Sequence, residues 1–126
     1  MRILLKCPTR SRPQKVIQTL SSYVKLANHP EQLGVAISCD EDDMSMTRNL
    51  VQEELLRTLN PVAWKRIFFS PNKNKIQACN ANMNEIDWEW NIVVLVSDDM
   101  IPQLKGYDDV IRNHMIARFP DTNGIL

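Results

Sequence analysis

Glycine is scarce in this chain, with three residues in 126. That scarcity excludes several nucleotide sites at once. There is no G-x-G-x-x-G after the first apolar run and no G-x-x-x-x-G-K-[ST], so neither a dinucleotide fingerprint nor a Walker-type phosphate loop is present. No serine sits in a G-x-S-x-G elbow. Cysteine is also sparse: Cys7, Cys39 and Cys79 form no C-x-x-C pair, which argues against a disulfide framework or a structural zinc site and for small buried hydrophobes. The two histidines, His29 and His114, lack a partner motif. Net charge is zero, which disfavours a general nucleic-acid or membrane-surface binder. The opening run Ile3-Leu4-Leu5 is too short for a signal peptide or a membrane span, so a soluble cytosolic protein is expected.

What is present is alternation. Short apolar runs at 2–7, 35–38, 64–69 and 88–97 read as strands, and amphipathic stretches between them read as helices. Ser11 is placed to cap the first helix and Pro13 suits its first turn. Ser45 is placed to cap the second, with Met46, Leu50, Val51, Leu55 and Leu59 inward. A third helix carries Ile76, Cys79, Asn80 and Met83 on one face. A fourth spans 107–119 with Val110, Ile111, Met115 and Phe119 inward. Ile92-Val93-Val94-Leu95-Val96 predicts a strand buried on both faces, as in a parallel sheet. Gly124-Ile125-Leu126 reads as the opening of another strand. The order β-α-β-α-β-α-β-α predicts one α/β domain over 1–126, a three-layer Rossmann-like sandwich with a mostly parallel sheet.

Such sheets bind ligands beyond the carboxyl ends of their strands. Polar residues fall at those ends: Thr9, Arg10, Ser11 and Arg12; Asp40, Asp42 and Asp43; Asn72, Lys73, Asn74 and Lys75; Asp98 and Asp99. Adjacent carboxylates repel unless a cation or solvent offsets them. A hard divalent ion held by one or two carboxylates, waters and substrate phosphates answers that need. Arg10, Arg12, Lys73 and Lys75 are available for the remaining phosphate charge. The bland alternative is a pair of turn carboxylates in water. Within 40–43, Asp40 lies nearest the strand end and suits a base N–H, and the later acids are expected to be solvated.

Four segments resemble the nucleotide-binding half of an inverting GT-A glycosyltransferase. They are Pro8-Thr9-Arg10-Ser11-Arg12-Pro13, Val35 to Asp40, Asn74 to Asn80, and Val94-Leu95-Val96-Ser97-Asp98-Asp99 in the place of the metal-binding D-x-D. The resemblance implies that Thr9 and Asp40 contact the nucleobase and that Lys73 or Lys75 approaches the diphosphate. It implies Asp98 at the ribose or metal, and Asp99 as a ligand of Mn²⁺ or Mg²⁺. It also implies a UDP- or GDP-sugar donor and glycosyl transfer with inversion. Ser97 replaces the first Asp of D-x-D, Ser11 the usual Asn, and Lys75 the Gly of N-x-G. Family members continue beyond this length, so the sequence resembles a truncated form lacking the acceptor half. A catalytic base is not assigned; Asp108, Asp109 and Asp121 qualify by residue type alone. The alternatives are a non-catalytic nucleotide-sugar-binding module or remnant, a nucleotidyltransferase, and an interaction domain without ligand. An unpaired sheet edge predicts a homodimer.

Overall fold

The computed structural model describes residues 1–72 and 74–126. Four strands, β1 (Ile3–Thr9), β2 (Leu33–Asp40), β3 (Trp64–Ser70) and β4 (Ile92–Leu95), pair in parallel in the order β3-β2-β1-β4. Side chains alternate across a strand, so one sequence serves two faces. Ile3, Leu5 and Cys7 of β1 and Leu33, Val35, Ile37 and Cys39 of β2 join the larger core. Helix α1 (Pro13–Leu26) adds Val16, Ile17 and Leu20 to it. Leu55 of α2 (Asn49–Thr58) and Met115 of α4 (Tyr107–Arg118) complete the same layer. On the opposite face Leu4, Ala36 and Phe68, with Trp64 of β3 beside them, are covered by Met83, Ile86 and Trp88, from a segment led by the short α3 (Lys75–Asn80). Gly34 permits this second layer: a Cβ there would lie 2.5 Å from the Trp88 ring.

Three helices on one face and the α3-led segment on the other thus flank the sheet, and the α/β sandwich read from the sequence is the one observed. Several local expectations need correction. Ser11 does not cap α1. It takes the left-handed conformation (φ 55°), and the N-cap is Arg12, without a side-chain bond. Ser45 does not cap α2, which begins later at Asn49; Leu50 faces solvent, while Met46 is buried from the preceding turn. Helix α3 is only six residues long and is capped by Asn74, whose Oδ1 accepts from the Gln77 amide (2.9 Å). Its Ile76 is exposed. Val110 of α4 is exposed rather than inward.

Strand β4 is shorter than its apolar run and is not buried on both faces. Val93 and Leu95, in register with Leu4 and Lys6, remain 40% and 64% exposed, because the layer led by α3 stops at β1. The last residues, 124–126, form no strand. Cys7 and Cys39 are fully buried, and burial pushes both thiols up to about 12, which leaves them unreactive. Cys79 is only half-buried, so the buried-hydrophobe reading fits two of the three.

Candidate functional site

Strand order decides where a ligand can enter. From β1 the chain steps outward to β2 and β3, then returns to the other side of β1 to form β4. The loops after β1 and β4 therefore diverge, and a crevice opens at the carboxyl ends between them. A pocket of about 580 Å³ occupies this place, within the size range of small-molecule sites. Its walls come from all four strand-end loops: Pro8, Thr9, Arg10 and Arg12; Asp40 and Asp42; Asn72, Asn74, Lys75 and Ala78; Ser97, Asp98 and Asp99. Thr9, Arg10, Asp40, Lys75, Asp98 and Asp99, all singled out in the sequence, meet here. Lys73 lies outside the described residues.

The β1 loop is the organising element. Ser11 turns left-handed, so the flanking arginines point in opposite directions. Arg10 donates to Asp40 (2.6 Å) and Asp42 (2.7 Å) at the end of β2. Arg12 reaches the end of β4, 3.3 Å from Asp98 Oδ1 and 3.6 Å from Asp99 Oδ2. What fixes the turn is Asp43, which accepts from the Ser11 amide (2.6 Å), the Ser45 amide (3.2 Å) and the Ser45 hydroxyl (2.6 Å). Asp43 is buried, contrary to the expectation that the later acids of the run are solvated. Burial pushes its carboxyl upward, but the Ser45 hydroxyl and the surrounding amides outweigh this and hold it below the usual carboxylate value. Nothing in the local sequence marks Asp43 apart from Asp42. Its distinguishing partner lies on another loop, thirty-two positions away.

The two acids after β4 differ in role. Asp98 is nearly buried: Thr9 Oγ1 donates to its Oδ2 (2.8 Å), and its backbone carbonyl accepts from Thr19 Oγ1 of α1 (2.7 Å). It ties β1, α1 and β4 together. Asp99 is half-exposed and faces the pocket, with the Ser97 hydroxyl donating to one of its oxygens. That hydrogen bond, with the charges of Arg12 and Lys75 nearby, lowers its carboxyl below the ordinary range.

Under the pocket floor lies a group that the sequence reading passed over. Lys6 is fully buried on the α3 side of β1, and its ammonium donates to Ser38 Oγ (2.6 Å) and to the Ala78 carbonyl (3.0 Å). Ser38 donates onward to Asn82 (3.0 Å). Burial lowers the Lys6 pKa below the ordinary lysine value. The alternation of β1 alone would have placed a lysine inside, since Leu4 and Lys6 share a face.

The three acids considered as bases lie elsewhere. Asp108 accepts from the Asn28 and His29 amides (2.9 and 3.0 Å) and from Arg112 (2.8 Å). Arg112 also donates to the Met1 carbonyl (2.8 Å), so the cluster sits at the amino ends of the strands, across the sheet from the pocket. Asp109 joins this cluster through Asn28 and Arg112. Asp121 accepts only from the nearby Asn123 amide among the described contacts, and none of the three lines the pocket.

Known structures share this fold. The chain superposes on a crystal structure of S. aureus TarS 1-349 with a TM-score of 0.65 and 17% identity, covering 93% of this chain. A second structure of TarS 1-349, in complex with UDP, gives a TM-score of 0.63 and 16% identity. The fold is that of the GT-A glycosyltransferases. This chain spans 32% of the TarS chains it matches. No family model and no curated protein matches the sequence. Among the described residues no helix of this GT-A-like domain is long and apolar enough to cross a membrane.

The donor set can be tested against a divalent ion. Carboxylate oxygens suit Mg²⁺ or Mn²⁺. Among the described residues, however, no three His, Cys, Asp or Glu side chains converge. Asp98 and Asp99 offer a pair, and the counter-cation beside that pair is the Arg12 guanidinium. The residues fit an ion shared between the protein and a phosphate-bearing ligand, not one caged by protein alone.

Proposed function

We propose that this chain is the donor-binding domain of a glycosyltransferase and takes a nucleoside diphosphate sugar, such as a UDP- or GDP-sugar, in the crevice between β1 and β4. The observation that carries this reading is the convergence of Thr9, Arg10, Arg12, Asp40, Lys75 and Asp99 on one pocket at the strand-order switch. Asp40 supplies an acceptor for a base N–H, and the half-exposed Arg12 and the exposed Lys75 supply phosphate contacts. Asp99 and the phosphate oxygens would hold Mg²⁺ or Mn²⁺, which when bound offsets the charge of the departing diphosphate. Thr9 and Asp98 act by positioning, since each is the other's hydrogen-bond partner.

The chain's own residues bind and orient the donor and screen its charge. A base for the acceptor hydroxyl is not assigned, and a module that binds the donor without turnover fits the same pocket. The test is a melting series with uridine, guanosine, cytidine and thymidine diphosphates, with and without Mn²⁺. A ligand at about 100 times its dissociation constant adds roughly 2.7 kcal/mol. A shift with one diphosphate that Asp99→Asn abolishes supports the reading, and no shift with any of the four rejects it. Donor hydrolysis then separates the enzyme from the binding module. The outer edge of β4, unpaired in the sheet, is proposed to meet a second copy of the chain; a monomer mass by light scattering removes that part.

A further inference from the structure

Arg12 is paired with the two carboxylates that follow β4. Its guanidinium lies 3.3 Å from Asp98 and 3.6 Å from Asp99, and its side chain is 53% exposed, so it can swing away at small cost. Among the described residues the charged groups on the pocket wall are Arg10, Arg12 and Lys75 with Asp40, Asp42, Asp98 and Asp99. Arg10 is committed to Asp40 and Asp42, which leaves Arg12 and Lys75 as the mobile positive charge.

Each component arriving alone meets an obstacle. A diphosphate brings negative charge beside Asp98 and Asp99, and drawing Arg12 onto the phosphates takes away the guanidinium paired with both carboxylates. A divalent ion alone finds two carboxylates already paired with Arg12, and among the described residues no third His, Cys, Asp or Glu side chain converges with them. Were the two to arrive together, Asp99 and the phosphates would hold the ion between them, and Arg12 would be free to bind phosphate. We propose that Arg12 is a resident counter-cation that exchanges for the divalent ion, so that metal and nucleotide bind this pocket only as a pair. The proposal rests on the nucleotide-binding reading above and adds to it the role of Arg12.

The exchange has a signature that plain phosphate binding by Arg12 lacks: removing Arg12 must improve the binding of metal by itself. Mn²⁺ alone is titrated into the parent chain, Arg12→Met and Arg12→Lys, with free Mn²⁺ followed by its paramagnetic resonance signal. The diphosphate found by the melting series is titrated by calorimetry, in EDTA and in Mn²⁺. For the parent, Mn²⁺ alone is expected to bind at least tenfold more weakly than to Arg12→Met, with Arg12→Lys close to the parent. The parent's nucleotide affinity is expected to rise at least thirtyfold with Mn²⁺, and this gain shrinks in Arg12→Met. Equal Mn²⁺ affinity for parent and Arg12→Met overturns the exchange while leaving nucleotide binding intact. So does nucleotide affinity that is the same in EDTA and in Mn²⁺. If no diphosphate binds the parent under either condition, the underlying reading fails, and the exchange falls with it.

Discussion

Replacing Asp43 by alanine tests whether one buried carboxylate holds the β1 loop in shape. The change removes the acceptor of the Ser11 amide, the Ser45 amide and the Ser45 hydroxyl, and leaves these part-buried donors without that carboxylate. A hydrogen bond to a charged group is worth about 1.5–3 kcal/mol, and Ser45 regains part of its loss from water, so a net destabilisation of about 3 kcal/mol is expected. For a chain of 126 residues the unfolding entropy is about 0.26 kcal/mol/K, so Tm falls by about 11 °C. The pH dependence follows from the carboxyl being held below 3.8 in the folded state. Above the ordinary value the stabilisation is fully present. It is lost as pH falls through the lower, folded value, so the gap between parent and Asp43→Ala narrows below about pH 4. Calorimetric melts at pH 7 and down to pH 3, with nucleotide titration of the still-folded variant at low temperature, measure both effects. A Tm drop under about 3 °C, or a gap that does not narrow in acid, refutes the account of the loop.

The remaining predictions concern other layers. Lys6→Met removes a buried ammonium whose pKa is lowered in the fold; the parent's stability should rise with pH between that lowered value and 10.5, and the variant's denaturant midpoint should lose this slope. Gly34→Ala drives a Cβ against the Trp88 ring and should cost about 1–3 kcal/mol, with tryptophan emission shifted to the red as the ring is displaced. Asp108→Asn breaks the buried pair with Arg112 and should cost about 3 kcal/mol in urea unfolding. Nucleotide affinity in the folded fraction should stay unchanged, because that cluster is at the far rim.

Strand and helix order were legible because each apolar run is bounded by proline or by a polar cluster, and the runs are longer than any local ambiguity. The rim followed from that order, since parallel strands place all their loop residues at one end. What escaped was set by partners distant in sequence. Ser11 and Ser45 both carry the residue type of a helix cap, yet both give their amides to Asp43. The exposure of Val93 and Leu95 was hidden because β-branched and leucine residues read as buried wherever a covering layer is assumed, and here that layer stops one strand short. Lys6 was masked by the habit of assigning lysine to solvent. Its burial depends on Ser38 and Ala78, which only the folded sheet brings beneath it.

The left-handed twist at Ser11 has a mechanical consequence. Two guanidinium groups separated by one residue would crowd each other on an ordinary extended strand, and here they become the arms of a brace. One arm reaches the end of the second strand and the other the end of the fourth, so a single tripeptide spans the mouth of the crevice. A ligand that draws Arg12 away frees one arm and leaves the other where Asp40 and Asp42 hold it.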